Sequence, residues 1–359
     1  MSVKLPVAIL GATGAVGQRF IQLLQDHPWF EVAEVIGSER SSGRAYADAA
    51  HWILDGGPPD AVAGLNVKPL DGDFTSPLIF SALPKEAADP HEMRLAAAGH
   101  VVATNASLNR MLDDVPLLLP EINASHLALV DVQRAARGWT TGALVANSNC
   151  TIMPVVMSLA PLLQYGVEKI QVISAQAISG AGYPGVPSLD IIDNMVPYIG
   201  GEEEKLETES LKMLGTLSGD AIQWLDAVVS ASCNRAPVID GHLVNVSVSL
   251  REKPALDEII RAWDNFRGPD PVPSLPSAPK QPVQYLTQQD RPQPRRDRAA
   301  GKGMTTSIGR LRECPIFGYK FVALSHNTIR GAAGCSILNA ELMAANGYIN
   351  GFSVNGQLS

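Results

Sequence analysis

Leu5-Pro6-Val7-Ala8-Ile9-Leu10-Gly11-Ala12-Thr13-Gly14-Ala15-Val16-Gly17 opens the 359-residue chain with an apolar run that passes directly into glycines spaced Gly-x-x-Gly-x-x-Gly. Residues 5–10 read as a buried strand, and Val16, Phe20, Leu23 and Leu24 then recur at helical spacing. Strand, glycine turn and amphipathic helix in that order set a pyrophosphate on a helix N-terminus, where free N–H groups and the helix dipole favour an anion. Gly11 permits the tight turn, Gly14 lets the backbone approach the phosphates, and Gly17 lets helix and strand pack closely. A glycine triplet alone also fits an ordinary strand-to-helix turn. Its place after the first strand favours a dinucleotide site, with Gly11, Thr13, Gly14, Ala15, Val16 and Gly17 as its contacts.

Working outward, strand signals over 31–36, 79–83, 100–104 and 144–146 alternate with helical segments, the pattern of a Rossmann-type doubly wound parallel sheet. The strand 31–36 should end near the adenosine ribose, where an NAD site usually offers an acid to the 2′-hydroxyl. Here it is followed by Gly37-Ser38-Glu39-Arg40-Ser41-Ser42-Gly43-Arg44. Hydroxyls and guanidinium groups suit a 2′-phosphate, so NADP is the expected cofactor, held by Ser38, Arg40 and Ser41. Glu39 dissents: it either points into solvent or accepts the ribose hydroxyl.

Beyond about residue 169 the texture changes to β-branched, partly alternating segments over 170–178, 227–232, 243–250, 305–311 and 319–324, with helices over 191–214 and 256–266. That predicts a second, α+β domain with a mixed sheet. The eight prolines between 268 and 294 predict a long loop without helix or central strand. The segment 331–349 has helical spacing and opens on small residues that allow a close backbone approach.

A length of 359 residues with 46% hydrophobic residues suits two cores. The net charge of −8 argues against nucleic-acid binding, and no apolar run is long enough to span a bilayer. With no secretory signal pattern, a cytoplasmic location is expected. Cys150, Cys233, Cys314 and Cys335 are widely spaced, which argues against a metal site or a disulfide framework.

Cys150 follows Ala146-Asn147-Ser148-Asn149 and precedes an apolar helical stretch, so it reads as a thiol at a helix N-terminus, with Ser148 or Asn149 as cap. The dipole there is expected to favour the thiolate, and the same N–H groups suit an oxyanion. A lone cysteine is more often a small buried hydrophobe, but this local pattern argues for a nucleophile. A nucleophilic thiol needs an acid/base partner. Arg235 and His242 flank Ala236-Pro237-Val238-Ile239-Asp240-Gly241, read as a turn folding a strand back on itself and bringing both to one cleft. Gln176 stands at a strand end before a glycine-rich turn. Glu202 and Lys205 share a helical face, where a solvated helix start is as good a reading on spacing alone.

Taken together, the Gly11 to Gly17 loop, Ser81-Ala82-Leu83-Pro84, Asn105-Ala106-Ser107 with Arg110, Pro120-Glu121-Ile122-Asn123, Ser148-Asn149-Cys150-Thr151, Gln176 before Gly180-Ala181-Gly182, Gly201 to Lys205, Arg235 to His242 and Ser325-His326-Asn327 through Gly331 resemble the aspartate-β-semialdehyde dehydrogenase family, in its archaeal and fungal-type branch. The resemblance covers essentially the whole chain. It implies reversible, NADP-linked conversion of L-4-aspartyl phosphate to L-aspartate-4-semialdehyde and phosphate, in lysine, threonine, methionine and isoleucine biosynthesis. It implies Cys150 as the acyl-forming nucleophile, His242 as general acid/base, Gln176 as orienter of the acyl group, and Asn149 as part of the active-site turn. Arg235 would bind the substrate carboxylate, Glu202 its ammonium, and Arg110 and Lys205 the phosphate. Ser81, Asn327 and Gly331 would lie along the cofactor. It further implies a cofactor domain over 1–149, completed by the C-terminal segment from about 327 to 359, a catalytic and dimerisation domain over 150–326, and a homodimer or homotetramer. The rival readings are a malonyl- or succinyl-CoA reductase and a non-redox NADP-binding regulator. Glu202 and Arg235 favour an amino-acid substrate over the former, and the intact Cys150, Gln176, Arg235 and His242 argue against the latter.

Overall fold

The computed structural model describes residues 4–352. Among them β1 (Leu5–Leu10), β2 (Phe30–Gly37), β3 (Lys68–Pro69), β4 (Leu78–Ser81), β5 (Val101–Thr104) and β6 (Ala143–Ala146) form a six-stranded sheet in the order 3-2-1-4-5-6, parallel at every pairing. β4, β5 and β6 are buried at each residue, as parallel strands covered on both faces must be. The strand order reverses between β1 and β4, and a doubly wound sheet binds its ligand beyond the carboxyl ends at that point. The glycine turn leaves β1 there, and Ser81 closes β4 beside it. The Ala15–Leu24 helix packs Phe20, Ile21 and Leu24 onto this sheet, and the Gly334–Ala345 helix adds Ile337, Leu338 and Met343 to the same core. The remainder of the segment 327–359, from 353 onward, lies outside the described residues.

The second half contains β7 (Val167–Gln176), a small hairpin of β8 (Thr216–Ser218) and β9 (Ala221–Gln223), then β10 (Val228–Arg235), β11 (His242–Leu250), β12 (Val283–Leu286), β13 (Thr306–Cys314) and β14 (Gly318–Ser325). All but the hairpin join a second six-stranded sheet in the order 10-7-11-14-13-12. It is mixed: β10 runs parallel to β7 and β12 parallel to β13, while the central pairings are antiparallel. Between the sheets the Ile152–Leu159 helix is buried at every residue and packs on β11, β13, β14 and the Glu202–Met213 helix.

Three expectations need correction. The chain from Ala236 to Gly241 does not make a hairpin, because β7 lies between β10 and β11 and the turn passes over its end. The helical stretch 191–214 is two helices, Ser188–Ile191 and Glu202–Met213. The proline-rich stretch carries β12, which fits in the proline-free interval after Pro282 and takes an edge position where one face of the backbone needs no partner. Among the described residues no helix is long and apolar enough to cross a membrane.

Gly17 holds the dinucleotide turn against its own strand: a Cβ added there would sit 2.2 Å from the Gly11 carbonyl oxygen and 2.7 Å from Ala12 Cα. Backbone cannot yield as a flexible side chain does. Gly17→Ala should therefore destabilise the protein by about 1–3 kcal/mol or more and weaken cofactor binding, read by urea denaturation and cofactor titration. Unchanged stability would show that the helix re-seats freely.

Candidate active site

Cys150 lies in the turn between β6 and the Ile152–Leu159 helix. Asn149 Oδ1 accepts the Thr151 N–H at 2.7 Å, fixing the turn as short polar side chains do before a helix. Gly331, in the Ile329–Ala333 turn, presses on Cys150 from the other side, where an added Cβ would stand 2.6 Å from Cys150 Cβ.

The rest of the site is assembled by the carboxyl end of β7. Register sets Arg235 of β10 opposite Gln176, and on the other flank Leu243 of β11 pairs with Ala175, so His242 arrives at the same end. His242 Nε2 is 3.1 Å from Cys150 Sγ. The Ala177 N–H donates to His242 Nδ1 at 3.0 Å, so the neutral ring carries its own proton on Nε2, facing the sulfur. Arg235 Nη1 donates to the Ala177 carbonyl at 2.8 Å. Gly180 makes room for both: a Cβ there would lie 2.9 Å from Arg235 Nη1 and 3.0 Å from His242 Cε1.

Charged groups close the other wall. The Glu202 carboxylate accepts Asn149 Nδ2 at 2.8 and 2.9 Å and Lys205 Nζ at 3.0 Å. Arg110 donates to Glu209 at 3.1 Å and to the Asn105 carbonyl at 2.8 Å. Glu209 went unremarked in the sequence, although it falls seven residues after Glu202 on one helical face, and that spacing was the available signal.

Burial pushes the Cys150 thiol up to about 12, Glu202 raises it further, and Arg110 and Arg235 oppose the rise. Burial thus works against the dipole acidification expected of this thiol. Cys150 stands before the helix proper, which starts at Ile152, and desolvation is the largest influence on its thiol. Burial likewise pulls His242 down to about 3, helped by the positive charges of Arg235 and His326. In the ligand-free protein the pair is neutral thiol beside neutral imidazole.

On the cofactor side, Ser38, Glu39 and Arg40 are exposed at the carboxyl end of β2, and the Ser41 hydroxyl donates to the Ser38 carbonyl at 2.8 Å. Gly14 is exposed at the mouth of the turn, with its N–H on the Gly11 carbonyl at 3.0 Å. Thr13, Ala15 and Val16 are half-buried around it. Ser81 is buried. The Asn327 side chain is committed to protein: it accepts the Gly241 N–H and donates to Ser179 Oγ, both at 2.8 Å, tying together the turns that carry His242 and Gly180. Among the described residues there is no cluster of metal ligands, and the four cysteines are unpaired.

Two family models match the chain, described as the semialdehyde dehydrogenase NAD binding domain over residues 6–130 and the semialdehyde dehydrogenase dimerisation domain over residues 159–330. The aspartate-semialdehyde dehydrogenase of Archaeoglobus fulgidus is 47% identical, over 94% of this chain and 97% of its own length. That of Aspergillus fumigatus is 43% identical, over 96% and 99%. The crystal structure of aspartate semialdehyde dehydrogenase with NADP from Candida albicans superposes with a TM-score of 0.89 at 38% identity, covering 97% of this chain and 100% of that one.

A thiol near 12 beside an imidazole near 3 fixes the sign of a pH experiment. The reactive thiolate is the minor form throughout the accessible range. Alkylation of Cys150 in the ligand-free protein should therefore rise about tenfold per pH unit between about pH 7 and 9, with no plateau and no inflection from His242. A plateau near neutral pH would mean that the helix dipole governs the thiol after all.

Proposed function

This chain belongs to the aspartate-semialdehyde dehydrogenase family, and we propose how its own residues carry the reaction from L-4-aspartyl phosphate to L-aspartate-4-semialdehyde, an NADP-dependent step in the biosynthesis of lysine, threonine, methionine and isoleucine. The observation that carries the reading is the 3.1 Å contact of Cys150 Sγ with His242 Nε2 at a point where Gln176, Arg235, Glu202 and Arg110 converge. The residues at the β1 and β2 ends fit NADP: the glycine turn leaves no Cβ in the way, and exposed Ser38 and Arg40 face the solvent where a 2′-phosphate would be read. When bound, NADPH supplies the hydride.

Cys150 Sγ attacks the acyl carbon, the bond to phosphate breaks, and a thioester forms on the sulfur while the thiol proton leaves with the phosphate. Arg235 binds the α-carboxylate with its planar fork, and Glu202 binds the α-ammonium. Arg110 and Lys205 bind the departing phosphate, and Gln176 orients the acyl oxygen. After reduction to the thiohemiacetal, His242 Nε2 holds the proton that passes between the substrate oxygen and the sulfur as the aldehyde leaves. Asn149 keeps the Cys150 turn in place throughout. Asn327 and Gly331 act at the nicotinamide end, Asn327 through the turns it joins and Gly331 by its backbone. We divide the chain into a cofactor domain, 1–149 with the segment from about 327, and a catalytic and dimerisation domain, 150–326, which builds a homodimer or homotetramer. The unpaired thiols suit the reducing cytoplasm, where we place the enzyme.

The decisive assay is NADP reduction with aspartate semialdehyde, with and without phosphate, beside malonyl-CoA with NADPH. Phosphate-dependent turnover of the semialdehyde is expected, and turnover of the CoA ester alone would refute the substrate. Cys150→Ala should abolish turnover and leave NADP binding and melting temperature nearly unchanged; persistent activity would remove the nucleophile. Arg40→Ala should weaken NADP by about tenfold to a hundredfold, the worth of a charge-assisted contact of about 1.5–3 kcal/mol, and leave NAD affinity alone. Equal losses with both cofactors would show that Arg40 does not read the 2′-phosphate.

A further inference from the structure

The Glu202–Met213 helix presents Glu202, Lys205, Glu209 and Lys212 at spacings of three, four and three, a single face turned toward the nucleophile turn. Acids in its first turn suit the dipole, but Glu209 lies in the second half, where the dipole disfavours a carboxylate, and it is only 2% exposed. Such burial needs partners, and Glu209 has them on two sides. Its oxygens accept Arg110 Nη1 at 3.1 and 3.3 Å. Oε2 also accepts the backbone N–H of Asn149 at 3.1 Å and the Ser148 hydroxyl at 3.3 Å. One carboxylate therefore grips both the guanidinium beside the thiol and the peptide that leads into it.

One turn later, Lys212 Nζ donates to the carbonyls of Arg110, Leu112 and Val115 at 2.8, 2.7 and 3.0 Å. Arg110 is thus held by its backbone and by its head from one helix. Its Nε is buried without a partner among the described residues, which leaves the guanidinium with unused hydrogen-bonding capacity for an incoming anion. Lys205, on the same helix, is already committed to Glu202.

We propose that Glu209 is a positioning residue that couples the phosphate-binding Arg110 to the nucleophile turn, so that the anion and the sulfur are set by one carboxylate. Two effects follow. Glu209 fixes the Asn149–Cys150 peptide, on which the line of attack depends. It also neutralises Arg110 in the ligand-free enzyme, so the arginine exerts its full pull on the thiol only when that partner is removed. The inference rests on the proposed function for its kinetic effect alone. Its effect on thiol reactivity is read without substrate.

The test is a double-mutant cycle of Glu209→Gln with Arg110→Met, beside Glu204→Gln on the exposed side of the same helix. Glu209→Gln should lower kcat with aspartate semialdehyde and phosphate at least about tenfold while raising the alkylation rate of Cys150 at a fixed, mildly alkaline pH about threefold or more. General loosening would also expose the thiol, so the Arg110→Met background decides between the two. There the same substitution should no longer change alkylation. An equal acceleration in both backgrounds, or kcat within about twofold of wild type, overturns the proposal. Should Glu209→Gln fail to fold, the double variant removes both charges together and should alkylate at the rate of Arg110→Met, and a different rate overturns the coupling. Glu204→Gln should change neither quantity. If the wild-type enzyme does not turn over aspartate semialdehyde, the proposed substrate fails, while the alkylation cycle still decides the link between Glu209 and Arg110.

Discussion

The contact between Cys150 Sγ and His242 Nε2 joins a turn at the end of the first sheet to the first residue of a strand in the second. A contact of 3.1 Å tolerates only small relative movement of those sheets. What holds them is the Ile152–Leu159 helix, which begins two residues after Cys150 and is buried on every side. Its apolar residues share one core with β6 and with β7, β11 and β14. Close packing of that kind transmits displacement instead of absorbing it. The helix thus orients the cysteine by anchoring the turn that bears it to a rigid, all-buried segment.

That burial has an electrostatic consequence. The same packing that fixes the sulfur withdraws water from it, and the thiol is pushed up to about 12 while its imidazole neighbour is pulled down to about 3. The two guanidinium groups nearby pull the thiol the other way, but Glu202 sides with burial. The resting site therefore keeps its positive charge on the arginines and leaves the Cys150–His242 pair neutral.

Most of this fold was legible because strands and glycine turns leave strong local signals. The β1 bounds, the glycine turn and the buried runs of β2, β4, β5 and β6 follow from apolar continuity alone. Cys150, His242, Gln176 and Arg235 were recognisable as residues, but their convergence was not. It depends on β7 inserting between β10 and β11, a non-local pairing that no turn signal encodes, and the Ala236–Gly241 connection looked like a hairpin for that reason. Edge strand β12 hid among prolines because proline density describes the average of a segment and not its gaps. Glu209 hid for a third reason. An acid in a run of acids looks like solvated surface until tertiary packing buries it.

Another buried charge pair shows what such groups are retained for. Arg330 and Glu121 meet at 2.8 Å with side chains 0% and 1% exposed, and Arg330 also donates to Met157 Sδ on the Ile152–Leu159 helix at 3.0 Å. Taking two ions out of water costs more than their attraction commonly returns, so stability alone is a poor explanation. Position is a better one. Glu121 belongs to the Pro120–Asn123 helix, and Arg330 immediately precedes Gly331, whose backbone lies against Cys150. The pair locks the Ile329–Ala333 turn to the first sheet's surroundings while Met157 ties it to the helix that carries the thiol. An apolar pair of equal volume would fill the space, yet it would let the turn slide, and the glycine contact leaves no clearance for sliding.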